Sequence, residues 1–247
     1  MESWERRRLS GVFNLAGETP ALPGIGRRNM NPVYRLGWIC FRALYRFYFG
    51  WRVYNAERVP LEGPVILASN HASFLDPPLV GSGLKRGINY LARENLFRFP
   101  VLGWILHQWQ AVPVDREGGG AKGLKAILDR LLAGGAIILF PEGTRTSDGK
   151  LQPARSGIGL TVIKSSAPVV PVRVFGTFEA FNRHMRFPRP GRKVMVKYGQ
   201  PMRFEELREQ AANCSKPRLK EIYRQVANEI MQRIQELEPW EDKARFP

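Results

Sequence analysis

Five consecutive apolar residues, 136–140, constrain the fold of this chain more than any other feature. They follow residues 121–133, where Leu and Ile recur at helical spacing, and the pair Gly134-Gly135, which is typical of an amphipathic helix that ends at glycine. A strand that is apolar at every position is usually covered on both faces, as in parallel sheets. The pattern therefore predicts an α/β fold, with a mostly parallel central sheet covered by helices on both faces.

Further apolar, β-branched runs continue this rhythm along the chain. The other predicted strands are 65–68, 88–91, 111–114, 169–174 and 194–198. The last of these, taken from Lys193 to Lys197, alternates, with the two lysines on one face and two valines on the other, which favours a position near an edge of the sheet. A helical pattern with one apolar face follows. We therefore predict an N-terminal segment, residues 1–58, and an α/β domain, residues 59–247, whose C-terminal helices start at about residue 203.

Residues 32–52 are apolar or aromatic at nearly every position except Arg35, Arg42 and Arg46. On a helix these three arginines fall within a stripe roughly 40° wide, and the remaining circumference is apolar. This pattern is typical of an amphipathic helix that docks in the plane of a membrane interface, with its Trp and Tyr side chains at the headgroups. The alternative is a helix that packs on the domain and keeps its arginines in water.

The formal net charge of +16 comes from the N-terminal and central parts of the chain. It fits an anionic membrane surface, a phosphorylated substrate or a nucleic acid, and composition does not rank these partners. Two distant cysteines, Cys40 and Cys214, predict neither a disulfide framework nor a metal site. No uncharged apolar run is as long as the about 18 residues that a membrane-spanning helix needs. Residues 1–15 also lack the continuous apolar core of a signal peptide. We expect a protein that faces the cytoplasm.

The segment 70–76, NHASFLD, follows the predicted strand 65–68 and contains a histidine and a carboxylate. His71 and Asp76 are five residues apart, about 140° around a helix, so they can meet only if the chain turns between them. Pro77 disfavours helical geometry at Asp76, which predicts Asp76 as an N-cap and Pro77 as the start of the next helix. Such a turn would let the carboxylate orient the imidazole as a base. The alternative is a capping aspartate beside a hydrogen-bonded histidine.

A second candidate segment, FPEGTR at 140–145, ends the run that opened this section. Loops at the carboxyl ends of parallel strands commonly bind ligands. Gly143 would let the backbone approach a ligand, Thr144 could donate a hydrogen bond, and Arg145 could bind a phosphate with two N–H groups. The alternative is a surface turn with a solvated arginine.

Arg93 and Arg116 each follow a predicted strand and could reach the same rim as Arg145, forming a phosphate pocket, although each alone would more often be a surface residue. The strand segment VVPV at 169–172 could line a pocket wall or only mark an irregularity of the strand. Segment 181–190 alternates basic with large apolar side chains, which suits an anionic bilayer or a single-stranded nucleic acid.

The ordered segments NHASFLD, VPVDR, FPEGTR and VVPV resemble the four sequence blocks of the glycerolipid acyltransferase superfamily, most closely those of the bacterial 1-acyl-sn-glycerol-3-phosphate acyltransferases. The resemblance covers about residues 60–200. It implies transfer of an acyl group from a coenzyme A or acyl carrier protein thioester to lysophosphatidic acid, giving phosphatidic acid. Family members often carry an N-terminal membrane-docking helix like the one inferred here. With the basic charge, we expect the protein at the cytoplasmic face of a membrane with anionic lipids. The resemblance implies no cofactor and no metal.

The resemblance also implies roles for individual residues. His71 would be the general base and Asp76 its orienting partner. Residues Glu142, Gly143 and Thr144 would form the acceptor-binding loop, and Arg93, Arg116 and Arg145 would bind the acceptor phosphate. The second block has Pro113 where many relatives have another small or apolar residue.

Two alternative functions remain open from the sequence. The acceptor could be another lysolipid, such as a lyso-ornithine lipid or a lysophospholipid with a larger headgroup. In a different class, the chain could be a non-catalytic basic protein that binds a membrane or a nucleic acid. That reading leaves the four ordered segments unexplained, so we expect no nucleic-acid partner.

Overall fold

A computed structural model describes residues 30–114 and 121–238. The strands are β1 (Arg52–Tyr54), β2 (Val65–Ser69), β3 (Ile88–Asn89), β4 (Leu91–Arg93), β5 (Val112–Val114), β6 (Ala136–Leu139), β7 (Val169–Phe175) and β8 (Met195–Tyr198). The α-helices are α1 (Pro32–Phe47), α2 (Asp76–Ser82), α3 (Pro100–Gln108), α4 (Ala121–Leu132), α5 (Ser156–Lys164), α6 (Thr177–Phe181), α7 (Glu205–Ala212) and α8 (Lys216–Gln235). Two 3₁₀ turns, Ala56–Arg58 and Glu94–Arg98, complete the regular structure of these residues.

The main sheet has the strand order β1-β8-β7-β2-β6-β3. Its neighbouring strands are parallel except for the pair β7 and β8, which is antiparallel. The prediction of an α/β fold with a mostly parallel sheet is therefore confirmed. Strand β8 lies one position inside the edge strand β1, and all its residues are buried, including Lys197, whose ammonium donates to the carbonyl of Glu238.

The predicted strand 88–91 is interrupted at Tyr90 and forms two strands, β3 and β4. Strand β3 stays in the main sheet, whereas β4 pairs with β5 in a separate two-stranded sheet. The prediction that 111–114 continues the central sheet was therefore wrong. Pro113 cannot donate a ladder hydrogen bond, but Pro171 is tolerated inside β7 between two partners of the main sheet, so the pairing of β4 with β5 decides the position of this strand.

Alternating residues of β2 belong to two separate cores, one on each face of the sheet. Val65 and Leu67 pack with side chains from α1 and α2. Ile66 and Ala68 pack on the other face with side chains from α4, α5 and α8. Helices therefore cover both faces, which explains why the central strands are apolar at consecutive positions.

Helix α1 packs on the domain through one side and exposes large apolar side chains on the other. Tyr45 is buried, and Trp38 and Arg42 donate side-chain hydrogen bonds to the carbonyls of Leu84 and Ser82. The three arginines therefore do not share a solvent-facing stripe, because Arg42 turns toward α2. No helix in the described ranges has the length and apolar character needed to cross a bilayer.

Candidate active site

His71 and Asp76 meet in the loop between β2 and α2. Nδ1 of His71 lies 2.9 Å from Oδ2 of Asp76, whose side chain is fully buried. The same oxygen accepts the backbone N–H groups of Ala72 at 2.6 Å and Ser73 at 2.7 Å. The chain turns around the carboxylate, so the five-residue spacing becomes a direct contact.

Asp76 does not cap the helix that follows it. Helix α2 begins at Asp76 and its N-cap residue is Leu75, so the prediction of an Asp76 N-cap was wrong. An aspartate cap needs backbone donors in the first turn, but Pro77 and Pro78 have no N–H. The N–H of Leu79 is already bonded to the carbonyl of Leu75. The carboxylate therefore faces back toward His71.

Neighbouring loops hold the segment that carries His71. Asn70 exchanges two side-chain hydrogen bonds with the backbone of Val174 on β7. The carbonyl of His71 accepts the N–H of Thr146 at 2.8 Å, and its imidazole stacks on Phe140 with ring centroids 3.9 Å apart. Because β6 and β7 are both parallel neighbours of β2, these contacts come from the carboxyl ends of neighbouring strands and the segments that follow them.

Glu142 is a buried carboxylate directly behind His71. Its Oε1 accepts the backbone N–H of His71 at 3.0 Å, and its Oε2 accepts that of Gln152 at 3.3 Å. Burial raises the pKa of Glu142 to about 7, the two N–H groups oppose this shift, and the charge of Asp76 adds to it. Glu142 therefore changes its charge near neutral pH while it supports the backbone of His71.

A cavity of about 680 Å³ brings the His71 side chain together with basic groups from separate parts of the chain. Its polar lining includes His71, Arg93, Thr144, Arg145 and Arg183. Its apolar lining includes Trp38 and Phe41 of α1, Leu106 of α3, and Trp109. The guanidinium of Arg145 lies over the ring of Phe74, 3.5 Å from its centroid. The site therefore combines a histidine, guanidinium groups and an apolar wall.

The model of the family described as Acyltransferase matches residues 50–175, half of the chain. Among its relatives, the 1-acyl-sn-glycerol-3-phosphate acyltransferase of Bacillus subtilis is 30% identical over 190 residues, which are 76% of this chain and 88% of that protein. The chain belongs to the Acyltransferase family. The matched region of the family model contains the His71 loop and the 140–145 loop.

Other relatives of this family member differ in how much of their length is matched. A chloroplast 1-acyl-sn-glycerol-3-phosphate acyltransferase of Brassica napus is 32% identical over 138 residues, and the chain spans 40% of that protein. The crystal structure of the 1-acyl-sn-glycerophosphate acyltransferase of Thermotoga maritima matches with a TM-score of 0.61 and 24% identity, over 83% of this chain and 79% of that one. This likeness shows a shared fold.

Only part of the predicted acceptor-binding loop of this Acyltransferase family member faces the cavity. Thr144 and Arg145 line the cavity, whereas Glu142 and Gly143 are not among its lining residues. Gly143 has a φ of 72°, which favours glycine, and a Cβ there would lie 2.8 Å from Cδ of Arg155. Its backbone geometry therefore explains the glycine without a ligand. The predicted site residue Arg116 lies outside the described residues.

Sequence reasoning missed residues that the fold brings to the site. Arg183 was included only in the basic and aromatic segment 181–190, yet it lines the cavity and donates to the carbonyl of Arg145. Asn70 and Phe140 are the first residues of the two segments that the sequence had singled out, but their partners are distant in the chain. Their contacts with Val174 and His71 depend on the order of strands in the sheet.

Proposed function

We propose that this protein transfers a fatty acyl group from an acyl thioester to the free glycerol hydroxyl of lysophosphatidic acid, giving phosphatidic acid. The observation that carries the proposal is the contact between His71 and Asp76 at the wall of a cavity that Arg93 and Arg145 also line. The Bacillus subtilis and Brassica napus relatives, both 1-acyl-sn-glycerol-3-phosphate acyltransferases, support the same reaction.

The proposed base is Nε2 of His71. Asp76 accepts the hydrogen bond from Nδ1, which keeps the proton on that nitrogen and leaves Nε2 as the acceptor. The glycerol oxygen attacks the thioester carbon while its proton passes to Nε2. The C–S bond then breaks, the thiolate leaves and takes the proton, and Asp76 stabilises the intermediate imidazolium. The hydroxyl is itself the nucleophile, so no acyl-enzyme is needed.

The proposed phosphate site consists of Arg93 and Arg145, with Arg116 as a further predicted member. A guanidinium can bind a phosphate through two parallel hydrogen bonds, and holding the phosphate fixes the position of the hydroxyl relative to His71. Glu142 acts in this proposal as a positioning residue, because its carboxylate contacts the backbone of His71. The apolar lining of the cavity accommodates an acyl chain of the substrate. The donor is acyl-CoA or an acyl carrier protein thioester, and the reaction uses no cofactor or metal.

The proposed location is the cytoplasmic face of the cell membrane, as a peripheral or monotopic protein. Support comes from α1, whose outer side exposes Leu36, Ile39 and Phe47. Arg35 and Arg46 are also exposed on this helix, where they can contact anionic lipid phosphates. An apolar helix side with basic residues is typical of interfacial binding.

A thioester-release assay on mixed micelles tests the reaction. We expect release with lysophosphatidic acid, whose phosphate is a monoester. We expect little with lysophosphatidylcholine, whose phosphate carries a second ester bond to choline. His71→Ala should lower thioester release to the background rate. The control is His184→Ala, because His184 is exposed. Faster release with a lyso-ornithine lipid would assign another acceptor. Salt-dependent nucleic-acid binding without thioester consumption would favour a non-catalytic basic protein.

A further inference from the structure

Residues 99–104 expose an unusual set of large apolar side chains. Phe99 is 61% exposed, Val101 73% and Trp104 54%, and Leu102 is also exposed. Surface apolar residues are ordinary when scattered singly, but a contiguous group marks an interaction surface. We call these four residues the α3 patch.

The packing of α3 keeps the α3 patch outside the core. Gly103 is buried, and a Cβ on it would lie 2.4 Å from the carbonyl oxygen of Phe97. The helix therefore lies directly on the preceding 3₁₀ turn through its glycine. On the helix, Val101 and Trp104 lie about 160° and about 100° around the axis from Gly103, and both are exposed.

The helix that carries the α3 patch contacts, at its C-terminal end, the helix that we propose to bind the membrane. Phe41 of α1 packs edge-on against Trp109, with ring centroids 5.6 Å apart. The side chain of Asn31 donates a 2.7 Å hydrogen bond to the carbonyl of Gln108, the last residue of α3. The two helices thus contact each other directly, and each also lines the cavity, α1 with Trp38 and Phe41 and α3 with Leu106.

The charge around the α3 patch fits an anionic bilayer. The patch and the rest of α3 contain no Asp or Glu, and the 3₁₀ turn before them begins with the exposed Glu94 and ends with Arg98. Arg98 is exposed directly before the patch. Apolar and Trp side chains that enter the interface, next to an arginine at the lipid phosphates, are the features of interfacial binding.

We propose that the α3 patch is a second membrane-docking element, which enters the same anionic bilayer as the outer side of α1. The cavity lined by both helices is then held against the surface that carries the lysolipid, so a long acyl chain passes from the bilayer to the site without crossing water. This inference rests on the proposed function, because it takes the substrate to be a membrane lipid.

The test compares vesicle binding of two variants made at exposed positions. The double variant Val101→Gln/Trp104→Gln removes two apolar groups from the α3 patch, and neither residue lines the cavity. The control is Leu132→Gln, because Leu132 is 67% exposed at the end of α4, which packs on the opposite face of the sheet. Binding is measured by flotation with vesicles of phosphatidylglycerol and phosphatidylcholine.

We expect the double variant to lose about tenfold or more in vesicle affinity, as the burial of two such side chains implies, and the control to bind like the wild type. Equal binding by the double variant would overturn the proposal. So would a dimer of the wild-type chain that the double variant dissociates without any change in vesicle binding, since the α3 patch would then contact a second copy.

A second assay separates this inference from the reaction itself. Short-chain acyl-CoA and short-chain lysophosphatidic acid, both dissolved as monomers, need no membrane. We expect the double variant to retain wild-type turnover on them and to lose turnover on lysophosphatidic acid embedded in vesicles. A wild-type protein that binds vesicles through the α3 patch but transfers no acyl group in either assay would contradict the proposed function alone.

Discussion

The hydroxyl of Tyr45 donates a 2.8 Å hydrogen bond to the carbonyl of Leu75, the residue directly before Asp76. Tyr45 belongs to α1 and is completely buried. Burial raises the pKa of its phenol well above the usual value, and the charge of Asp76 raises it further, so the hydroxyl stays a donor. The helix proposed to bind the membrane therefore also holds the loop that carries the His71–Asp76 pair.

Tyr45→Phe should lower the free energy of unfolding by about 1 kcal/mol or somewhat more, because it leaves the buried carbonyl of Leu75 without its donor. Thermal denaturation measures this change, and the turnover number should fall as the loop loosens. Tyr48→Phe is the matched control, since its exposed hydroxyl bonds to Pro188 at the surface. An equal effect of both substitutions would contradict a special role for Tyr45.

His71→Ala should reduce the turnover number by about 10² to 10⁴, the range expected for the loss of a general base. Asp76→Asn should cause a loss of similar order, because an amide can no longer hold the imidazole in the required tautomer as a carboxylate does. Steady-state kinetics provide the measurement and circular dichroism checks folding. A folded variant of either kind with near-normal acyl transfer would remove the pair from the mechanism.

Arg145→Ala should raise the KM for lysophosphatidic acid about tenfold or more and change the turnover number less, since the guanidinium binds the phosphate before and during the reaction. Arg145→Lys should restore only part of the affinity, because it keeps the charge but loses the planar fork. Arg186→Ala is the control, as this exposed arginine stacks on Phe187 and does not line the cavity. A loss of turnover with unchanged acceptor KM would contradict the phosphate site.

Glu142 should make the stability of the protein depend on pH. Its pKa is about 7 in the folded chain, against an ordinary value of 4.5. Between these values the folded state binds more protons than the unfolded state, so the contribution of this group to stability falls as the pH rises from 4.5 through 7.

Glu142→Gln does not titrate and should lack that dependence. Urea denaturation of both proteins over this pH range measures it, and Glu179→Gln, on α6 and outside the site, serves as the control. Parallel pH profiles of the wild type and Glu142→Gln would show that Glu142 keeps an ordinary pKa.

Removal of residues 1–52 is a poor test of membrane binding by this protein. Tyr45, Phe49 and Trp51 belong to the core under one face of the sheet. Their loss would leave large cavities, each costing several kcal/mol. Substitutions on the outer side of α1, such as Leu36→Gln with Phe47→Gln, should instead lower vesicle affinity and leave the thermal denaturation midpoint nearly unchanged. A large fall in that midpoint would mean that these side chains stabilise the fold.

Local patterns were sufficient to predict much of the α/β fold. Continuous apolar runs correctly marked β2, β6 and β7, because a strand covered on both faces needs apolar side chains at consecutive positions. A turn between His71 and Asp76 was expected from their five-residue spacing, but the proline rule misplaced the start of the next helix, which begins at Asp76 itself. The separation of β4 and β5 was not predictable, because strand partners are chosen by contacts between distant segments.

The sequence by itself determined where apolar strands, turns and candidate reactive residues stand along the chain, since these follow from side-chain period and local backbone restriction. Only the tertiary structure decided that Glu142 faces the backbone of His71, that Arg42 turns toward α2, and that Arg183 reaches the cavity. Each of these orientations depends on a partner brought close by the sheet and the helices around it, and no local pattern records which partner that is.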